Sequence, residues 1–178
     1  NKYPKIYYRP KKIQLNKIFL VDTSGVSVFY NKTLEKKISL KLNSLRKKFK
    51  NFKFMNISFK KKISTPTKLS ISENIKFFLK KNFFKNKINV VSNMNTHQQI
   101  PQELDGEIEI KSLKQYCDYM ASCSGIISLH HGQSHLSSAI KYQYNSRLKS
   151  FCIIPEKIYK HDKKLGMYIF DNIQYIKI

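Results

Sequence analysis

Residues 125–142, GIISLHHGQSHLSSAIKY, decide the fold that we predict for this chain. The apolar run at 126–129 is typical of a buried strand, and residues 134–141 are typical of a short helix. A corner of histidine and glycine lies between them. Backbone N–H groups at a helix start lack intrahelical partners, and the helix dipole is positive there, so such a corner can bind an anion without a metal.

Two interpretations of this corner remain open at this point. In the first, Gly132 lets the backbone approach a phosphate, and Ser134 and His135 supply side-chain donors. In the second, the corner is an ordinary strand-to-helix connection in which Ser134 only caps the helix. The rest of the chain has to decide between them.

Apolar strand patterns alternate with helical patterns along the chain. Strands are predicted at 18–21, 52–59, 88–91, 126–129, 151–154 and 173–176, with a short one through Ile108 and Ile110. Helices are predicted from Thr33, after the capping box Ser70-x-x-Glu73, and after the capping box Ser112-x-x-Gln115, where the helix should stop near Gly125. The alternation predicts an α/β fold, a Rossmann-like three-layer domain with a mainly parallel sheet.

The length of 178 residues fits a single domain. Residues 1–16 mix Lys, Arg, Pro and Tyr without periodicity, so we predict a basic arm or linker there and the domain itself at 17–178. The chain begins at Asn1 rather than Met, which is typical of a fragment. Cys117, Cys123 and Cys152 lack metal-ligand spacing and are expected to be reduced residues of a cytoplasmic protein.

The charge is strongly positive, with 34 Lys and Arg against 11 Asp and Glu and a net charge of +23. Frequent Lys, Asn, Ile, Phe and Tyr also indicate AT-rich codons, which raise the Lys content without selection for binding. A polyanionic partner and a merely solvated basic surface therefore explain the charge equally well. No run approaches the roughly 18 apolar residues of a membrane span, so any membrane contact is expected to be peripheral.

Residues 113–139 resemble the C-terminal, donor-binding half of a GT-B glycosyltransferase, specifically glycosyltransferase family 9, the heptosyltransferases of lipopolysaccharide assembly. A helix and a strand precede His130-His131-Gly132-Gln133-Ser134-His135-Leu136-Ser137-Ser138-Ala139. The family reads Asp, Ser or Thr, Gly, two variable residues, His, Leu, Ala, and then a small residue. Four positions fit, namely Gly132, His135, Leu136 and Ala139. His130 stands where the family has Asp.

The resemblance implies sugar transfer from a nucleotide diphosphate donor to a glycan or lipid acceptor in the synthesis of lipopolysaccharide, capsule or another surface glycan. It implies an inverting, metal-independent transferase without a cofactor, cytoplasmic or peripheral at the inner membrane. The implied donor site comprises Thr23, Ser24, Gly25, Lys32, His130, His131, Gly132, Gln133, Ser134 and His135. The family's general base comes from its N-terminal half, so Asp22, Asp105 and Asp118 receive no catalytic assignment.

Two alternatives remain. A basic nucleic-acid-binding protein accounts for the charge, but nothing resembles a helix-turn-helix, RRM, KH or zinc module, so this alternative is disfavoured. A pyruvyltransferase or sugar-nucleotide hydrolase of the same architecture would share the anion site and differ in its acceptor. The five histidines do not form a metal-binding spacing with carboxylates, and no metal is expected.

Overall fold

The computed structural model describes residues 3–24, 32–59 and 104–178, apart from the side chain of Lys32. These residues all belong to one compact unit. The helix predicted after Ser70, the strand predicted at 88–91 and the predicted site residue Gly25 lie outside the described residues.

One six-stranded sheet forms the centre of the described unit. Its strands are β1 (Leu15–Asp22), β2 (Lys53–Phe59), β3 (Gly106–Ile110), β4 (Cys123–Leu129), β5 (Lys149–Ile154) and β6 (Gln174–Lys177). All neighbouring strands are parallel, in the order β3-β2-β1-β4-β5-β6. This confirms the predicted α/β class, and the strand order is that of a doubly wound Rossmann-type sheet.

Helices cover both faces of the sheet, which makes three layers. The helices are α1 (Lys32–Lys48), α2 (Leu113–Ser122), α3 (Gly132–Gln143) and α4 (Glu156–Leu165). On one face, Ile38 and Leu42 of α1 pack in a core cluster with Phe19 of β1. On the other face, Met120 of α2 and Ile140 of α3 pack in a second cluster with the sheet. The sequence analysis did not predict α4.

The helix before β4 was predicted to stop near Gly125, and it stops three residues earlier, whereas Gly125 itself lies inside β4. The capping box of α2 is confirmed, because the Ser112 hydroxyl accepts a hydrogen bond from the Gln115 amide at 3.1 Å. However, α2 ends at Ser122 and β4 starts at the next residue. A glycine is needed in the strand because the ring of Phe19 lies directly over it: an added Cβ would be 2.2 Å from Phe19 Cε1.

The N-terminal segment crosses α2 and α3 before β1 begins at Leu15. The Tyr8 hydroxyl donates to Asp118 Oδ1 at 2.8 Å, and the Ile6 amide donates to Gln143 Oε1 at 2.8 Å. The Ile13 amide donates to Ser122 Oγ at 2.9 Å. The described part of the segment predicted as an arm or linker is therefore held against the domain, and the Asp118 carboxylate is used for this contact.

Replacing Gly125 by alanine is expected to destabilise the fold. The new methyl group would overlap Phe19, which is fully buried, and overpacking of a core costs roughly 1–3 kcal/mol. The free energy of unfolding, measured by urea denaturation, should fall by that amount.

Gly132→Ala is the matched control, because a Cβ at Gly132 meets nothing within 4 Å. That variant should unfold at the same urea concentration as the unaltered chain or slightly above it, since alanine favours a helix. Equal stability of the two variants would contradict the packing of Phe19 over Gly125.

Candidate functional site

The reversal of strand order between β1 and β4 places two chain segments side by side at the carboxyl edge of the sheet. Asp22 at the end of β1 is in register with Ser128 of β4. Gln133 Nε2, in the first turn of α3, donates to the Ser24 carbonyl oxygen at 3.1 Å and to its hydroxyl at 3.3 Å. In doubly wound sheets ligands bind at this reversal. The structure thus brings together, at the carboxyl edge where they were predicted to emerge, the described parts of the two segments that carry the predicted site residues.

The start of α3 is open. His131 is its N-cap residue, with an extended backbone and no side-chain capping bond, and Gly132 is the first helical residue. Gly132 is exposed. The first amides of a helix have no intrahelical acceptor, and no side chain of the capping residue satisfies them here. The helix therefore begins two residues earlier than predicted, with its glycine facing open space.

The two predicted side-chain donors next to Gly132 both contact the His131 carbonyl. Ser134 is buried, and its hydroxyl donates to that oxygen at 2.7 Å. His135 Nδ1 lies 3.1 Å from the same oxygen and carries the hydrogen, because a carbonyl only accepts. Ser134 does not cap the helix, since it lies within the first turn and His131 is the N-cap residue; that the corner is an ordinary strand-to-helix connection stays an alternative. Direct contact of either side chain with a phosphate stays a prediction.

His130 is paired with a carboxylate from α4. Its Nε2 lies 2.9 Å from Asp162 Oδ2, and its Nδ1 faces the buried Cys152 thiol at 3.9 Å. Burial opposes ionisation of Asp162, but hydrogen bonds from His161 and His130 outweigh it and lower the pKa of that carboxyl. Burial, with the neighbouring His130, lowers the pKa of His131. A positive charge on His131 is therefore disfavoured.

Asp22 is a fully buried carboxylate, and the sequence analysis did not place it in the site. Its Oδ1 accepts hydrogen bonds from both the Ser24 amide, at 2.9 Å, and the Ser24 hydroxyl. Its Oδ2 accepts from the Tyr116 hydroxyl of α2 at 2.5 Å. Burial raises the pKa of Asp22, and the bonds from Ser24 and Tyr116 offset part of that increase. The carboxylate thus links the end of β1 to α2.

Three polar side-chain atoms at this edge are buried without a hydrogen-bond partner among the described residues: Ser128 Oγ, Gln133 Oε1 and His135 Nε2. Ser128 is only 1% exposed and lies in register with Asp22. A buried polar group without a partner is costly, so such groups in a native fold call for a ligand or a water molecule. These are the strongest indications of a ligand at this edge of the sheet.

The unpredicted helix α4 adds positive charge beside the corner. Its exposed cations are Lys157, Lys160, Lys163 and Lys164. Lys160 pairs with Glu156 at 3.0 Å, and Asp162 holds the helix to His130. Helix α4, which contacts the corner through His130, therefore carries more cations than anions, a balance that favours an anionic ligand.

The remaining predicted site residues belong to the segment after β1. Thr23 and Ser24 are buried, and the Ser24 hydroxyl is used by Asp22. Lys32 is the first residue of α1, and Gly25 lies outside the described residues. In the part of the chain that the structure describes, no group of three or more metal-ligating side chains could hold an ion, and no helix is long and apolar enough to cross a bilayer.

Comparison of the chain with protein-family models, with curated proteins and with solved structures found no match. The resemblance of residues 113–139 to glycosyltransferase family 9 therefore stays a prediction. The class of this protein is the one its sheet defines, a Rossmann-like α/β domain with a candidate ligand site at the β1–β4 reversal.

Tyr116→Phe is expected to destabilise the fold by roughly 1–3 kcal/mol, because it removes the donor to Asp22 Oδ2 and leaves a buried acceptor unpaired. Urea denaturation at neutral pH measures the loss. Tyr119→Phe, three residues after Tyr116 on the same helix and only half-buried, is the control and should cost less. Equal losses in the two variants would contradict the contact.

Asp22→Asn is expected to change how stability depends on pH. Because the pKa of Asp22 is raised above 3.8, the folded chain keeps a proton that the unfolded chain has lost. The free energy of unfolding therefore falls as the pH rises from 3.8 to the folded pKa. The asparagine variant lacks this decrease, so its stability relative to the unaltered chain should rise across that window. Parallel pH profiles would contradict the raised pKa.

Proposed function

We propose that this chain is the nucleotide-sugar-binding domain of a glycosyltransferase that acts in surface-glycan synthesis, with the donor diphosphate at the start of α3. The observation that carries the proposal is the open, uncapped helix start at Gly132, located where the strand order reverses. The resemblance of residues 113–139 to a donor-binding half-domain adds the substrate class.

The chemistry of sugar transfer fits this corner. Negative charge develops on the diphosphate as it leaves, so an effective site stabilises that charge more strongly in the transition state than in the ground state. Backbone amides at Gly132 and Gln133 are fixed donors that need no reorganisation. The lysines of α4 add positive charge nearby.

The buried side-chain atoms without partners indicate which groups the ligand carries in addition to its phosphates. Gln133 Oε1 can only accept a hydrogen bond, whereas Ser128 Oγ can accept or donate. A phosphate oxygen offers no hydrogen to Gln133, but a hydroxyl of a ribose or a sugar does. A ligand that carries both a diphosphate and hydroxyl groups therefore matches the corner better than inorganic phosphate does.

The His130–Asp162 pair offers a substitute for the Asp that the family has at the position of His130. In this chain the carboxylate comes from α4, and the imidazole lies between it and the sheet. We assign no general base to the described residues, because Asp22 is fully buried and Asp105 and Asp118 bind the backbone amides of Phe54 and Lys11. Activation of the acceptor hydroxyl is accordingly left to a part of the enzyme other than the described residues.

Gly132→Asp tests the diphosphate site, because its two expected effects have opposite signs. An acidic residue in the first turn stabilises a helix by about 0.3–1 kcal/mol, so the fold should be kept. The same carboxylate should weaken binding of UDP, GDP or ADP by at least tenfold, about 1.4 kcal/mol, through repulsion of the phosphates. Isothermal titration calorimetry measures affinity, and urea denaturation measures stability.

Leu113→Asp is the matched control, since Leu113 is also the exposed first residue of a helix. It introduces the same charge at the start of α2 and should leave nucleotide affinity unchanged. Absence of binding to every nucleoside diphosphate, or an equal loss in both variants, would contradict the proposed function. Product analysis with a nucleotide sugar and a glycan acceptor then separates transfer from hydrolysis.

A further inference from the structure

We propose that the outer face of α1 docks on an anionic membrane surface through a set of lysines that the nucleotide site does not use. This set, the α1 lysine face, comprises Lys36, Lys37, Lys41, Lys47 and Lys48. All five are exposed. The inference does not depend on the nucleotide-binding function.

The periodicity of α1 explains why the lysines share one side. Ile38, Leu42 and Leu45 point into the core at helical spacing. The lysines lie on the remaining arc of the helix, with Lys36 and Lys47 opposite this core stripe and Lys37, Lys41 and Lys48 along one edge of it. At 1.5 Å per residue, a helix of 17 residues is about 25 Å long, so the α1 lysine face is an extended surface rather than a point charge.

Little negative charge balances this surface. Glu35 lies in the first turn of α1, and Asp105 is paired with Arg46 at 3.2 Å. Three further exposed lysines lie outside the helix. Lys50 follows α1, and Lys53 and Lys149 are the first residues of β2 and β5. Lysines that lie close together repel one another. An extended anionic partner is therefore favoured, because it attracts each lysine and also reduces the repulsion between them.

A groove of about 670 Å³ adjoins the C-terminal half of α1, where Lys47 of the α1 lysine face and Asp105 both line it. Its lining includes the cations Arg46, Lys47 and Lys50 and the apolar side chain of Leu40. A phospholipid headgroup combines a phosphate with the start of an acyl chain, so cations beside an exposed leucine match it on both counts.

The apolar residues on this side favour a membrane over a nucleic acid. Leu40 is 68% exposed in the middle of the lysines, where it could enter the interfacial region of a bilayer. The nearby rings of Phe49 and Phe52 pack against Phe19, with centroids 5.0 and 5.3 Å away. Both rings are half-buried, and the ammonium groups of Lys48 and Lys149 lie 5.6 and 5.7 Å from their centroids, so these rings do not form the open stacking platform that single-stranded nucleic acids use.

Docking through α1 leaves the α3 start accessible. The two helices pack in different core clusters, on opposite faces of the sheet. If α1 faces the membrane, the Gly132 corner lies on the side of the sheet away from the bilayer or at the edge of the sheet. This arrangement suits an enzyme that meets a lipid-linked acceptor.

Vesicle sedimentation of the full chain tests the proposal, using phosphatidylcholine vesicles with and without phosphatidylglycerol. The unaltered chain should bind only the anionic vesicles, and added salt should weaken binding. The triple variant Lys37→Glu, Lys41→Glu, Lys47→Glu should lose roughly 100-fold or more, because each lysine near an anionic surface is worth about fivefold. Leu40→Gln should weaken binding to vesicles by about tenfold.

The matched control is the triple variant Lys5→Glu, Lys12→Glu, Lys111→Glu, which makes the same change in net charge at exposed lysines outside α1. It should bind vesicles like the unaltered chain. If the Lys→Glu triple variant of α1 melts at a lower temperature than the unaltered chain, the Lys→Gln triple variant at the same three positions is used in its place. Equal losses in the two triple variants, no binding to anionic vesicles, or binding to single-stranded RNA in place of vesicles would each overturn the proposal.

Discussion

The buried carboxylate of Asp22 is the constraint on which the site depends. A carboxylate with no exposed surface is tolerated only when donors surround it, and here the donors come from the Ser24 amide and hydroxyl and from the Tyr116 hydroxyl. Ser24 in turn accepts the amide of Gln133. One buried group thereby fixes the end of β1, helix α2 and the first turn of α3 relative to one another.

This constraint explains why the helix start can remain open. Small buried residues of α3 let it approach the sheet closely: the Ser137 hydroxyl is 2.8 Å from that of Ser150 in β5. The position of α3 is thus set by contacts below it and by Gln133, not by a cap at its N-terminus. No side chain of the capping residue binds the amides at the start of α3, which is the arrangement that the proposed diphosphate site requires.

Local signals in the sequence predicted much of the fold and only part of the site. Strong periodicity predicted α1, and the capping box at Ser112 predicted α2, because both depend on neighbouring residues. Helix α4 was missed because it buries no residue. The packing role of Gly125 inside β4 was not predicted, because it depends on the ring of Phe19, which is distant in the sequence. The contact of Asp22 with Tyr116 spans 94 residues, so no spacing could have indicated it.

The most direct measurement of the central claim is a backbone amide NMR titration of the chain with a nucleoside diphosphate and, separately, with the corresponding nucleoside. The account predicts that the diphosphate shifts the amide signals of Gly132 and Gln133 downfield, as expected of N–H groups that gain an anionic acceptor, and that the nucleoside shifts them far less. Signals that move only on α1, or no change at Gly132, would contradict a phosphate site at the start of α3.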